Sequence, residues 1–393
     1  MSLLAIFAFL LLAYTGFCVG YALIFAFAGR FRGLPAARPT GKVRRVAVLL
    51  PAYGEDAVIL DSAAAALRQT YPRKHYDVVV IADSLRPDTL AQLRAMPGVV
   101  VIPVHFEVST KAKALQAALD RLPDVYDVAV VLDADNHMAL DCLFLLLGPF
   151  DRGWRAVQGH RVAKNLNTPV AVLDAVSEEI NNHIYRRGHR VLGLSSALIG
   201  SGMAFEYGLL KQVITRVQVV SGFDKEMEMV LLRQRVPVEY VERALIYDEK
   251  VQNEAVFEKQ RTRWLAAQFR VMHENLLPGF AALLRGNFDY FDKVIQALLL
   301  PRLLLLGTLT GLTALLLLLG AFGPGLLAFA QLAVLLLTFY LAVPARLRVL
   351  LGWKEIVKLP ALFFRFARSV FNIGQAKKKF LHTPHGTDEV RVG

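Results

Sequence analysis

The chain is poor in cysteine: Cys18 and Cys142 are the only two in 393 residues. That excludes a disulfide scaffold and a cysteine-based zinc site. Charge is missing from one whole stretch, residues 2–29, which is long enough for a transmembrane helix. A cleaved signal peptide would carry a basic n-region and a shorter apolar run. A lipoprotein reading through Cys18 fails because bulky Phe17 precedes it. Residues 1–29 are therefore read as an uncleaved anchor. Two more apolar runs, about 294–320 and 325–343, are separated by Gly320, Gly323, Pro324 and Gly325, the spacing of a helical hairpin with a short outer turn. With 55% hydrophobic residues and a mean hydropathy of +0.42, the chain is too apolar for an ordinary soluble enzyme or a disordered protein.

Acids are scarce beside these apolar runs. Lys+Arg is 45 against 33 Asp+Glu, a formal charge of +12. Residues 30–45 carry Arg30, Arg32, Arg38, Lys42, Arg44 and Arg45 and no acid, and residues 346–393 carry ten basic groups against Glu355, Asp388 and Glu389. Outside these two segments 29 basic groups meet 30 acids, a net −1, and net positive charge confined to the flanks of apolar segments speaks against a nucleic-acid binder, whose folded domain would carry it. It matches the positive-inside pattern. The expectation is a multi-pass protein of the cell membrane with residues 30–293 in the cytoplasm, 276–293 at the interface, and two spans within 294–343. Residues 353–373 alternate basic and bulky apolar groups (Lys354, Lys358, Phe363, Phe364, Arg365, Phe366, Arg368, Phe371), as in a helix lying against membrane lipid. The alternative is a third C-terminal span, which would put the tail outside.

Between the spans the pattern changes. Val46–Leu50, Asp77–Ala82, Val99–Val104 and Asp127–Leu132 are short, β-branched and apolar nearly throughout, as in strands covered on both faces. Longer amphipathic stretches near 56–69, 87–95 and 110–121 read as helices. The alternation predicts a mostly parallel α/β sheet, whose ligands bind beyond the carboxyl ends of the strands. Tyr53, Glu55, Asp83, Asp133 and Asp135 stand at those ends. In Asp133-Ala134-Asp135 two carboxylates fall on one side of an extended chain, a donor set suited to a hard divalent cation bridging to a diphosphate. A solvated strand end is the bland reading of the same residues.

Taken in order, Asp133-Ala134-Asp135, Gly200-Ser201-Gly202, Phe223-Asp224 and Gln260-Arg261-Thr262-Arg263-Trp264 resemble the motif set of membrane-bound family-2 glycosyltransferases. These include the cellulose, chitin, hyaluronan and poly-N-acetylglucosamine synthases. The similarity covers about residues 44–275 and implies a GT-A (Rossmann-like) nucleotide-sugar-binding domain between N- and C-terminal transmembrane helices. The resemblance implies that Pro51-Ala52-Tyr53-Gly54-Glu55, with Asp83, holds the base and ribose of a UDP-sugar. It places Lys111 of Lys111-Ala112-Lys113-Ala114-Leu115 near the diphosphate, although Lys113 stands where the family keeps glycine. Asp133 and Asp135 would hold Mg²⁺ or Mn²⁺, and Gly200, Ser201 and Gly202 would meet the acceptor.

The family's general base is the Asp of a Glu-Asp pair. An ungapped alignment selects Asp224, and a two-residue shift selects Glu226. Gln260, Arg263 and Trp264 would bind sugar hydroxyls, phosphate and a sugar face. In the tail 374–393, Phe380-Leu381-His382-Thr383-Pro384-His385 resembles the gating loop of cellulose synthases, which assigns Thr383 and His385 to the nucleotide.

The implied reaction is an inverting, metal-dependent transfer at the cytoplasmic membrane face to a growing polysaccharide. The alternatives are a single addition to a lipid acceptor and a non-catalytic nucleotide-sugar-binding subunit. Three spans are few for a polymer pore, so a homo-oligomer or an accessory secretion subunit is the expected partner of the polymer reading.

Overall fold

The computed structural model of the protein describes residues 3–31, 41–219 and 221–371. Thr383, His385 and the rest of the gating-loop resemblance lie outside the described residues. The first helix is α1 (Leu3–Ala28). The α/β half begins with β1 (Val46–Tyr53), α2 (Ile59–Leu67), β2 (Tyr76–Asp83), α3 (Pro87–Ala95), β3 (Val99–Val104), α4 (Lys111–Arg121) and β4 (Val128–Val131). These elements match the alternation expected from the sequence, with β1 reaching three residues further than Leu50.

The second half follows with β5 (His137–Met138), α5 (Cys142–Leu147), β6 (Ala156–Ala163) and α6 (Pro169–Asn181). A wide π-turn segment Asn182–Gly188 runs into the short α7 (His189–Val191). Then come β7 (Met203–Glu206), α8 (Tyr207–Ile214), α9 (Phe223–Arg233), β8 (Val238–Asp248) and the long α10 (Glu254–Leu284).

The eight strands form one sheet in the order β3-β2-β1-β4-β7-β6-β8-β5. The pairs among β3, β2, β1 and β4 are parallel. The expectation of a mostly parallel sheet needs correction beyond β4, because β7 runs antiparallel to both β4 and β6, and β5 to β8. Strand direction is set by which elements close the sheet, and a single strand's composition carries no direction.

Side-chain alternation divides the core. Ala47, Leu49, Val79, Ile81 and Val131 pack under α4, α8 and α9. Val46, Val48, Leu50, Val80 and Val130 pack under α2, α3 and α5. All ten are fully buried. With both faces covered, the strand ends are the open edge.

The remaining helices are α11 (Phe288–Leu298), α12 (Arg302–Leu318), α13 (Phe322–Ala342), α14 (Ala345–Arg348) and α15 (Trp353–Phe371). Among the described residues two helical stretches are long and apolar enough to cross a membrane, Ile6–Ala28 and Phe322–Ala342. A third exists only if α11 and α12, bent by 49°, count as one. The run 294–320 is thus not the single helix that its hydropathy suggests. Pro301 supplies no N–H, and Leu300 before it is disfavoured in the helical region; the backbone is extended on either side of Leu300, at Leu299 (ψ 138) and Pro301 (ψ 134).

α15 buries Leu362 and Phe366 against Phe257 and Leu265 of α10. It also pairs Lys358 and Arg365 with Glu254 at 3.0 Å each. Its other side shows Ile356, Val357 and Phe364 outward.

Candidate active site

The parallel register aligns Tyr53 with Asp83. The turn after β1 is fastened by the Gly54 N–H, which donates to the Asp83 carbonyl at 3.0 Å, with Gly54 at φ +64°, where a side chain would be strained. Asp83 is buried and accepts from the Ser84 hydroxyl at 3.0 Å. Beyond β4 the Asn136 N–H closes a turn on the Asp133 carbonyl at 3.1 Å.

The Thr110 hydroxyl caps α4 by accepting from the Lys113 N–H at 3.2 Å. That cap starts the helix at Lys111, whose ammonium pairs with the Asp133 carboxylate and donates to the Gly200 carbonyl at 2.7 Å. Lys113 turns away to the Val108 carbonyl at 3.0 Å. Of the two lysines, Lys111 is the one on the cavity.

Gly200 has φ +88°, and a Cβ built there would stand 3.8 Å from the Asp224 Cβ. Lys111, Asp133, Gly200 and Asp224 thus converge at the strand ends. Glu226, the alternative base, does not line this cavity. One of its carboxylate oxygens is buried without a partner. Burial raises its pKa, a shift that Arg270 and Arg233 partly oppose.

Ser201 is likewise structural in placement. It is fully buried, accepts from the Asp133 N–H at 2.9 Å and donates to Asn136 Oδ1 at 2.5 Å. Gly202 (φ +64°) is packed tightly against Ile246. Of the four residues assigned to the acceptor, Gly200 and Trp264 reach the cavity wall, and Ser201 and Gly202 do not.

One cavity of about 940 Å³ takes in Ala52, Tyr53, Glu55, Asp83, Lys111 and both carboxylates of Asp133 and Asp135. It continues past Asp224 to Gln260, Arg263 and Trp264 on α10. The Gln260 side-chain oxygen is buried there without a hydrogen-bond partner. Burial lowers the Arg263 pKa. Trp264 is 39% exposed, and the Arg261 guanidinium lies 4.1 Å from its ring centroid.

Beneath the site lies a network that the motif reading missed. Arg161 donates to Glu178 at 2.7 Å. Lys250 pairs with Glu178 and, at 2.6 Å, with Asp248. Arg261 donates to Asp174 at 2.6 Å. Three cations face three carboxylates, all on the cavity wall. Asp248 then accepts from Asn136 Nδ2 at 3.0 Å, and the same nitrogen donates to Asp135 at 3.0 Å, so the ion cluster holds the second metal-candidate carboxylate in place. Burial raises the Asp248 carboxyl, and the Arg161 and Lys250 charges more than reverse it, leaving its pKa lowered. The signal was present in Asp174 and Glu178, at the four-residue spacing of one helical turn, and in Asp248 and Lys250 on one side of a strand end.

Asp133 and Asp135 are the residues here that fit a metal. They are hard oxygen donors at one strand end, open to the cavity and beside a cation that already offsets charge. No group of three His, Cys, Asp or Glu side chains gathers as a ligand set among the described residues, so any ion held here would take its remaining ligands from the diphosphate and water.

No curated protein sequence matches the chain. In fold it is similar to the mannosyltransferase PcManGT from Pyrobaculum calidifontis, solved with GDP-Man and Mn²⁺. The TM-score is 0.57 and the identity 17%, over 93% of this chain and 98% of that one. Glucosyl-3-phosphoglycerate synthase from Mycobacterium tuberculosis, solved with Mn²⁺, UDP and glucosyl-3-phosphoglycerate, gives 0.38 at 17% identity over 58% and 83%, too distant to argue from. The family model described as "Glycosyltransferase like family 2" matches residues 44–267. That is more than half of the chain and the whole strand-end site, and the protein belongs to this glycosyltransferase family.

Proposed function

We propose that the protein transfers a sugar from a nucleotide sugar, with inversion, to an acceptor carried by a membrane lipid. One observation carries the reading: the cavity that begins at Tyr53, Asp83 and Asp133 ends among the apolar helices, at Leu303, Leu306, Leu336 and Phe339. The donor belongs at the polar end. There Tyr53, Glu55 and Asp83 would hold the nucleoside, and Lys111 would face the diphosphate. Asp133 and Asp135 would hold Mg²⁺ or Mn²⁺, which when bound offsets the charge developing on the departing diphosphate.

Asp224 takes the proton of the acceptor hydroxyl. That oxygen bonds to the anomeric carbon as the carbon–phosphate-oxygen bond breaks, and the nucleoside diphosphate leaves. Trp264 offers a face for the acceptor sugar, and Gln260 an unengaged carbonyl oxygen. A UDP-sugar is the first donor to try, and the GDP-Man held by the fold relative makes it the second.

A growing polysaccharide is the other acceptor, favoured by the Q-x-x-R-W residues on the wall. The cavity, however, takes in no residue between Leu306 and Leu336 and none from α1. That shape favours an acceptor entering beside the apolar helices over a polymer threaded through a single copy.

The test uses full-length protein in lipid nanodiscs. Radiolabelled UDP-glucose, UDP-N-acetylglucosamine, UDP-galactose and GDP-mannose are supplied with Mn²⁺ or Mg²⁺ and then with EDTA. A small, organic-extractable, EDTA-sensitive product from one donor is expected. A high-molecular-weight product would replace the lipid acceptor with a polymer, and label retained by no acceptor would overturn the transferase reading.

A further inference from the structure

Arg302 is the only charged residue in the apolar run 294–320, and a charge in such a run is costly unless paired or hydrated, which makes it a functional candidate. It opens α12 just after the Pro301 break. One of its terminal nitrogens donates to the Ser177 carbonyl at 2.8 Å, and the other is buried with no partner. Arg348, on α14, has its guanidinium 4.4 Å from the Tyr340 ring centroid, and its Nε is also buried without a partner. Both side chains line the apolar end of the cavity.

Among the described residues neither has a carboxylate within ion-pair distance, whereas Arg161, Lys250 and Arg261 nearer the strand ends are each paired. Two half-buried arginines, each with one buried N–H donor left open, match an oxyanion, for which arginine's fixed fork of N–H groups is suited.

From this geometry we infer that Arg302 and Arg348 bind the phosphate of a lipid-phosphate-linked acceptor. The lipid chain would lie along the α13 stripe Leu336, Phe339 and Tyr340, residues at helical spacing that line the cavity, and the following Val343. The inference rests on the lipid-acceptor reading above and names its head group.

Position supports it. Gln260, Trp264 and Gln268 recur every four residues on α10, a rise of about 12 Å from first to last. Gln268 Nε2 donates to the Leu299 carbonyl at 2.8 Å, at the break before Arg302. A phosphate held there stands at the membrane end of that row.

The test reads binding without turnover, in full-length protein in phosphatidylcholine nanodiscs. The probe is a tritiated polyisoprenyl phosphate, compared with the polyisoprenol of the same length and with inorganic phosphate as competitor. The phosphate form should bind at least about tenfold more tightly than the alcohol. R302Q and R348Q should each remove about that factor, and the R302K/R348K double variant should recover part of it.

Equal binding of phosphate and alcohol, or unchanged binding in both glutamine variants, would overturn the assignment. Displacement by millimolar inorganic phosphate would overturn its lipid part. Should a variant fail to fold, the comparison of phosphate with alcohol on the unaltered protein still decides. A chain that binds the probe and transfers no sugar would fail the proposed function while sustaining this site.

Discussion

Lys250→Met tests the ion cluster under the site. The Lys250 side chain is 1% exposed and pairs with Glu178 and Asp248. In the unaltered protein Arg161, Lys250 and Arg261 balance Asp174, Glu178 and Asp248. Methionine keeps most of the volume and leaves one buried negative charge uncompensated, a change that typically costs about 3–5 kcal/mol. At about 2–4 °C per kcal/mol for a domain of this size, the melting temperature should fall by about 6–20 °C. It would be read by tryptophan fluorescence in nanodiscs at pH 7.5.

Adding Glu178→Gln restores the balance as two cations and two carboxylates, so the double variant should melt above Lys250→Met alone. The cluster also has a pH signature. Glu178 and Asp248 have lowered pKa values, since the Arg161 and Lys250 charges outweigh the burial that raises them. Groups lowered in the fold contribute stability above their unfolded pKa of about 4, and lose it as pH falls through the folded value. The unaltered protein should therefore weaken below about pH 4, and the double variant less so. Lys250→Met melting within 2 °C of the parent, or a double variant melting below the single one, would refute this account.

Three further outcomes separate the site residues. Asp224→Asn should reduce turnover by about 10²–10⁴-fold with the melting temperature kept, whereas Glu226→Gln should leave turnover near the parent's. Because burial raises the Glu226 pKa, that carboxyl's stability is full below its unfolded pKa and lost as pH rises through the folded one, so Glu226→Gln should gain in melting temperature as pH goes from 5 to 8. Asp135→Asn should weaken Mn²⁺ binding, measured by electron paramagnetic resonance of the free ion, and Asn136→Leu should do so to a lesser degree by freeing Asp135 from Asp248. Unchanged Mn²⁺ binding in Asp135→Asn would remove Asp135 from the metal set. Lys111→Met should weaken nucleoside-diphosphate binding in calorimetry by about tenfold while the fold persists, since its ammonium is partly exposed.

Much of the first half was legible in the chain. Val46–Leu50, Val99–Val104 and the capped Lys111 helix follow from local composition, because buried parallel strands and capped helices leave short-range patterns. Asp133, Asp135, Gln260, Arg263 and Trp264 were found as motifs and meet on one cavity wall. The apolar runs announced the apolar helices, although 294–320 read as one run and the break at Pro301 came only with the structure.

What no local pattern contains is which distant groups face each other. The reversal of β7 and the engagement of Lys111 in preference to Lys113 depend on neighbours far along the chain. So does the burial of Ser201 behind Asp133. Glu226 and Asp224 are two residues apart and differ little in local chemistry, yet α9 turns one to the cavity and the other into the protein. The sequence by itself determined the kinds of element and the chemistry available at the strand ends. Tertiary packing decided which charges are paired: Arg161, Lys250 and Arg261 met carboxylates as α6 and β8 closed, and Arg302 and Arg348 were left with open donors in an apolar wall. Pairing is a matter of distances through space, and those exist only once the chain has folded.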